Sequence, residues 1–115
     1  MLSEGQIQKV RGQIARRDAG RLIRFFSALG DSCRFRIFEL LIDHEDVCVS
    51  DVAKVLGISL PAASQHLKIM ELAGLVRKER MGQMTCYMLN YENAIVKIFA
   101  RVISQECKGR AVSHT

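Results

Sequence analysis

The chain has 115 residues, which bounds it to one domain, read here as a single unit over 1–115. With 49% apolar and 25% charged residues it is not a disordered chain, and no apolar run approaches the roughly 20 residues that a membrane span needs. The net charge of +5 favours a polyanion partner or, equally, a solvated basic surface.

The charge is unevenly spread. Residues 1–36 carry eight basic and three acidic side chains, and residues 37–53 carry five acidic and no basic ones. Ser3 and Gln6 have capping-box spacing, so a first helix is expected there, with 1–17 as an N-terminal helix or arm. Ile7, Val10 and Ile14 recur at helical spacing, and Leu22, Phe25, Phe26 and Leu29 continue the pattern, with Gly20 placed to interrupt or bend it. "LGDS" (Leu29 to Ser32) is a break, with Asp31 or Ser32 as N-cap of the next helix. That helix, Cys33 to about Ile42, is apolar nearly all round and is expected to be central and buried.

A short helix is expected from about Val49 to Leu56, ended by Gly57 as a left-handed cap. Pro61 suits the first turn of another helix, about 61–73, with Ser59 or Leu60 before it as N-cap. Ala63, Leu67 and Met70 are its buried face, and Ala62, Gln65, His66, Lys68 and Glu71 its exposed one. "LVRKER" and "MTCYML" read as two strands joined at Gly82, with Tyr87 and Leu89 on one face and Met84, Cys86 and Met88 on the other. A last helix, about Tyr91 to Cys107, carries Ile95, Ile98, Phe99, Val102 and Ile103 as a wide apolar stripe. Residues 108–115 are expected to be a frayed tail.

Short helix, tight turn, second helix with small and polar leading residues, then a hairpin: this is the order of a winged helix-turn-helix, mainly α with a small β-hairpin. A helix that enters a major groove about 12 Å wide needs a small, polar leading face, and "SLPAASQHLK" has one. The DNA-contacting candidates are Ser59, Ala62, Ser64, Gln65, His66 and Lys68 on that helix, and Lys78, Arg80 and Gln83 on the hairpin. Ser64 and Gln65 suit base edges, whereas His66, Lys68 and the hairpin cations suit phosphates.

The segments "ALGDSCRFRIFELL" and "VSDVAKVLGISLPAASQHLKIMELAGLVRKERMGQMTCYML" resemble the ArsR/SmtB (arsenical-repressor) family over about residues 18–107. The resemblance implies a homodimeric winged-helix repressor that binds an inverted-repeat operator and releases it on binding an inducer, often a thiophilic or transition metal ion. It also implies a dimer interface between the first and last helices, to which Leu22, Phe25, Phe26, Ile95, Phe99, Val102 and Ile103 would contribute. The chain departs from the family where Leu60 and Pro61 replace polar residues at the start of the reading helix.

A recurrent metal site of the family reads "E-L-C-x-C-D", and here "DVCVSD" keeps Cys48 and Asp51 but has Ser50 in place of the second cysteine. Residues 1–32 contain neither cysteine nor histidine to complete it. The region of the last helix, "LNYENAIVKIFARVISQEC", keeps Glu92 and Glu106 but has no histidine of the second recurrent site. Some members sense oxidants or reactive sulfur with a cysteine pair. Cys107 matches one half, the other falls near Glu39, and Cys33 or Cys48 can replace it only within about 7 Å of Cys107. Met84, Cys86 and Met88 form a soft sulfur stripe suited to Cu(I), or simply a hydrophobic strand face. His44 reads as a helix C-terminal dipole partner and His114 as tail.

The expectation is therefore a cytoplasmic DNA-binding repressor with reduced thiols, not an enzyme, since no nucleophile-base pair or phosphate loop is present. The opening residues lack the apolar core of a secretory signal. Its partners are operator DNA and a second copy of itself, and no membrane. Its inducer acts through Cys48, Cys107, Cys33 and Asp51, with As(III) or another thiophilic ion, oxidant or reactive sulfur as the agent and no fixed cofactor. The rival is a constitutive dimeric interaction module without inducer sensing.

Overall fold

The computed structural model describes residues 1–113, with side chains through Cys107. Its order is α1 (Glu4–Arg16), α2 (Gly20–Leu29), α3 (Ser32–Asp43), β1 (Val47–Cys48), α4 (Val49–Leu56), α5 (Leu60–Leu72), β2 (Val76–Met81), β3 (Met84–Leu89) and α6 (Ala94–Ser113). The helices and the hairpin fall where the sequence pattern places them, with four differences.

The first long segment is two helices, so of the two alternatives at Gly20 the chain is interrupted and not bent. Arg17 turns extended at the end of α1, and the Asp18 carboxylate accepts the Gly20 N–H at 3.3 Å, which restarts the chain as α2. Gly20 is thus the first residue of a new helix. The second difference is β1, a two-residue strand too short for a period-2 signal. It makes the sheet three-stranded, in the order β1-β3-β2, all antiparallel, with β3 in the centre. Asp46, at φ 55, turns the chain into it. Third, α6 begins at Ala94 and not at Tyr91, because Asn93 caps it: its Oδ1 accepts the Ile95 N–H at 3.1 Å, and its Nδ2 donates to the Gly74 carbonyl. Fourth, the backbone of 108–113 continues α6, where a frayed tail is expected from 108; His114 and Thr115 lie outside the described residues.

The core forms around α3, as its all-round apolar character requires. Ile37 and Phe38 are fully buried against Val52 of α4, Ala63, Leu67 and Met70 of α5, Leu75 and Val76 at β2, and Val96 of α6. Two caps set the angle at which α5 leaves α4. Gly57 adopts φ 65 and Ser59 Oγ accepts the Ala62 N–H at 3.2 Å, with Pro61 in the first turn. The hairpin turns through Gly82 (φ 66) and Gln83, a two-residue loop with glycine in the first central position.

α1 stands apart from this core and buries none of its residues. The Cα radius of gyration is 17.9 Å, against roughly 13 Å for a compact chain of this length. This amphipathic helix, with Val10 and Ile14 exposed, is held out from the core of the described chain.

Candidate functional site

α5 presents two faces. Ala63, Leu67 and Met70 anchor it in the core, and Pro61, Ser64, Gln65 and Lys68 lie together on the opposite, exposed side. Ser59 is exposed at the helix start, and Ala62 is half-buried beside it. On the hairpin, Arg77, Lys78, Glu79, Arg80 and Gln83 are exposed. Arg77 is drawn to Glu92 (3.2 Å) and Lys78 to Glu71 of α5 (3.9 Å). Lys68 and Arg80 have no ion partner among the described residues. Lys68 lies on the exposed side of α5 and Arg80 on β2, so both cations are open to an anionic partner.

His66 departs from its expected role. Its side chain is only 22% exposed and turns back toward α3. The Arg34 guanidinium, which can only donate, bonds His66 Nδ1 at 3.3 Å, while its Nε donates to the Ala28 carbonyl at 2.7 Å. Asp31 caps α3 through the Arg34 N–H (3.0 Å) and lies 4.0 Å from His66 Nδ1. The bond from the Arg34 N–H, and after it the charge of Arg34, hold the Asp31 carboxyl below its ordinary value. Spacing alone could not show this, because 66 lies at the border between the exposed and buried stripes of α5.

The cysteines are placed differently from the expectation too. β1 sets Cys48 directly opposite Cys86, and their sulfurs are 3.1 Å apart and buried. Cys107 instead lines a groove between α2, α3 and α6, with Phe26, Phe35, Phe99 and Val102. The close partner of Cys48 is thus Cys86, not Cys107. The sulfur stripe of β3 is also split: Met84 is exposed while Cys86 packs under β1. The Cys86 thiol is pushed up to about 11, first by its hydrogen bond with Cys48, then by burial, then by the negative charges of Cys48, Asp46 and Asp51. Asp51 Oδ2 accepts the Cys48 N–H at 3.2 Å, which ties Cys48 to the first turn of α4. No local signal marks this pair, since β1 is two residues long and Cys86 lies 38 residues further on.

The residues expected at a dimer interface divide in two. Phe25 and Ile103 are core of the protomer, and Ile95 and Phe99 are half-buried. Leu22 (41%), Phe26 (48%) and Val102 (46%) are exposed, joined by Ile23 and Ile98. Phe26 stacks edge-on against Phe99 and Phe25 at 5.4 and 5.6 Å between ring centres, so an aromatic cluster runs from the core to the surface.

A supported second helix with a polar outer face, joined to a basic hairpin, defines a winged helix-turn-helix DNA-binding protein. Residues 31–78 match the profile of the family "Bacterial regulatory protein, arsR family". The transcriptional repressor SmtB homolog of Synechocystis is 31% identical over 84% of this chain and 73% of its own length. The cadmium resistance transcriptional regulatory protein CadC of Listeria innocua is 25% identical over 76% of this chain and 74% of its own. Among solved structures, the homodimeric winged helix-turn-helix DNA-binding domain from Mycobacterium bovis shares the fold at a TM-score of 0.66, covering 99% of this chain and 94% of that one at 22% identity. The chain belongs to the ArsR/SmtB family of transcriptional regulators, and is a DNA-binding regulator. No described helix is long and apolar enough to cross a membrane.

Proposed function

We propose that the protein is a homodimeric repressor that grips an inverted-repeat operator with α5 and the β2–β3 hairpin, and releases it when the Cys48–Cys86 thiol pair is modified. Lys68 and Arg80, exposed and without an ion partner among the described residues, carry the DNA half together with the exposed Ser64 and Gln65. Ser64 and Gln65 read base edges, Ser59 and Ala62 lie close to the backbone at the helix start, and Lys78 and Gln83 extend the contact along the hairpin. His66 is left out, since Arg34 holds it against α3.

Dimerisation is supported by what the protomer leaves uncovered. Leu22, Phe26 and Val102 present apolar surface, and α1 needs a surface for Val10 and Ile14 that the described residues of its own chain do not give. A second copy supplies both. The Mycobacterium bovis neighbour is itself homodimeric. Two reading helices related by a two-fold axis meet successive major grooves about 34 Å apart.

The sensing half rests on the sulfur pair. Two thiols 3.1 Å apart suit a thiophilic centre. An arsenous acid molecule exchanges two hydroxyls for two As–S bonds and gives up two waters. A hydroperoxide takes the two thiols to a disulfide and leaves as an alcohol and water. Either change pulls on Cys48, whose N–H is capped by Asp51 at the mouth of α4, the helix on which α5 rests. A relative named for cadmium resistance favours the thiophilic ion. The test enriches binding duplexes from a random-sequence pool with reduced protein. It then adds arsenite, Cd(II) or an organic hydroperoxide. Release by one of them, lost in both Cys48→Ser and Cys86→Ser, is expected; release unaltered in the two variants contradicts the sulfur pair as the sensor.

A further inference from the structure

A second set of ligand atoms, separate from the Cys48–Cys86 pair, joins the start of α3 to α5. Asp31 and Cys33 flank the N-terminus of α3, and His66 projects from the middle of α5. One carboxylate oxygen, the Cys33 sulfur and one His66 ring nitrogen all lie within 4.8 Å of one another. All three residues are half-buried, so the site is neither sealed nor freely mobile.

The donor set has a recognisable chemistry. One imidazole, one thiolate and one carboxylate are the three ligand types that zinc takes, and three protein ligands leave a fourth tetrahedral position for water. The thiolate and carboxylate together neutralise a divalent ion. Bond lengths of about 2.0 to 2.3 Å place tetrahedral ligand atoms roughly 3.3 to 3.8 Å apart, so the set closes by small side-chain rotations. Arg34 Nη1 now sits 3.3 Å from His66 Nδ1, with its Nε bonded to the Ala28 carbonyl, so an ion taken up at this nitrogen displaces the guanidinium as a whole. The Asp31 oxygen nearest the histidine, Oδ2, caps α3, so its position is fixed by the helix.

We infer that Asp31, Cys33 and His66 form a binding site for a divalent transition-metal ion of borderline softness, such as Zn(II), which clamps the reading helix to the start of α3. The clamp falls between Gln65 and Lys68 on α5. An ion there fixes the orientation of the exposed face relative to the rest of the protomer. That consequence rests on the DNA-binding reading above; the metal site does not.

The test uses the reduced full chain and Co(II) as spectroscopic probe. One equivalent is expected to give sulfur-to-cobalt charge transfer and the intense visible absorption of a tetrahedral ion. The spectrum should persist in Cys48→Ser and disappear in Cys33→Ser, whose folding is checked by circular dichroism. His66→Ala and Asp31→Asn, the latter keeping a capping side chain, should each weaken binding at least tenfold. A spectrum unchanged in Cys33→Ser, or lost in Cys48→Ser, overturns the site. In a second arm, Zn(II) should shift the affinity of the wild type for its enriched duplex and leave Cys33→Ser unmoved. Metal binding without any shift overturns the clamp. Absence of duplex binding altogether refutes the DNA reading and leaves the metal site standing on its spectrum.

Discussion

The sulfurs of Cys48 and Cys86 lie 3.1 Å apart, across strand positions that face one another directly. Opposed residues of an antiparallel pair have Cα separations of roughly 4.5 to 5.5 Å, inside the range a disulfide accepts. Mild oxidation is therefore expected to link these two residues before any other pair. Peptide mapping after treatment with a hydroperoxide checks this. A dominant Cys48–Cys86 link is the expected product, and a dominant link from Cys48 to Cys107 would contradict the placement.

The same pair gives a pH dependence. The folded Cys86 thiol keeps its proton up to about 11, against an ordinary value of 9.0 in the unfolded chain. Between these values the unfolded state has released a proton that the folded state still holds, so raising the pH favours unfolding. The contribution is complete below pH 9 and is lost as pH climbs toward 11. Tyr87, whose hydroxyl is also pushed up by burial, acts in the same direction. Denaturant unfolding of wild type and Cys86→Ala from pH 8 to 11 separates the two: the wild type should lose more stability over this range, and parallel curves would refute the assignment.

Gly57 holds the turn between α4 and α5 at φ 65, with open space where a Cβ would go. The cost of a side chain there is conformational and not steric. Gly57→Ala should destabilise the fold by about 1 to 2 kcal/mol, and Gly57→Asn by less, because asparagine tolerates the left-handed region. Thermal melts of the two variants measure the difference.

The uncovered face of α2 and α6 should be the dimer face. Phe26→Glu and Val102→Glu place charge on exposed positions, Phe26 at the surface end of the aromatic cluster and Val102 beside it on α6. Each variant should stay folded and sediment as a monomer under conditions where the wild type is a dimer. A wild type that sediments as a monomer throughout would remove the homodimer from the account.

Much of this architecture is legible in the sequence because it rests on strong local signals. Gly57, Ser59 and Pro61 announce the joint between α4 and α5, and the all-apolar α3 announces the centre of the core. The ArsR/SmtB resemblance adds the order of the elements. What escapes the sequence depends on long-range pairing. A two-residue strand has no periodicity to detect, so the meeting of Cys48 and Cys86, 38 residues apart, is set by the register of β1 on β3. His66 reads as a groove contact from its spacing, and only the placement of Arg34, 32 residues away, turns it inward. The exposed cations, by contrast, needed only the helix and hairpin periods to be placed.

On the proposed reading, α5 and the hairpin bind duplex DNA through Lys68 and Arg80. The most direct measurement is the salt dependence of affinity for the enriched duplex, by fluorescence anisotropy, for wild type, Lys68→Glu and Arg80→Glu. Each lost phosphate contact lowers the slope of log affinity against log salt by about 1, so each charge reversal should weaken binding and flatten the slope by at least that amount. Equal affinities and equal slopes in the three proteins would contradict the docking of α5 and the hairpin on DNA.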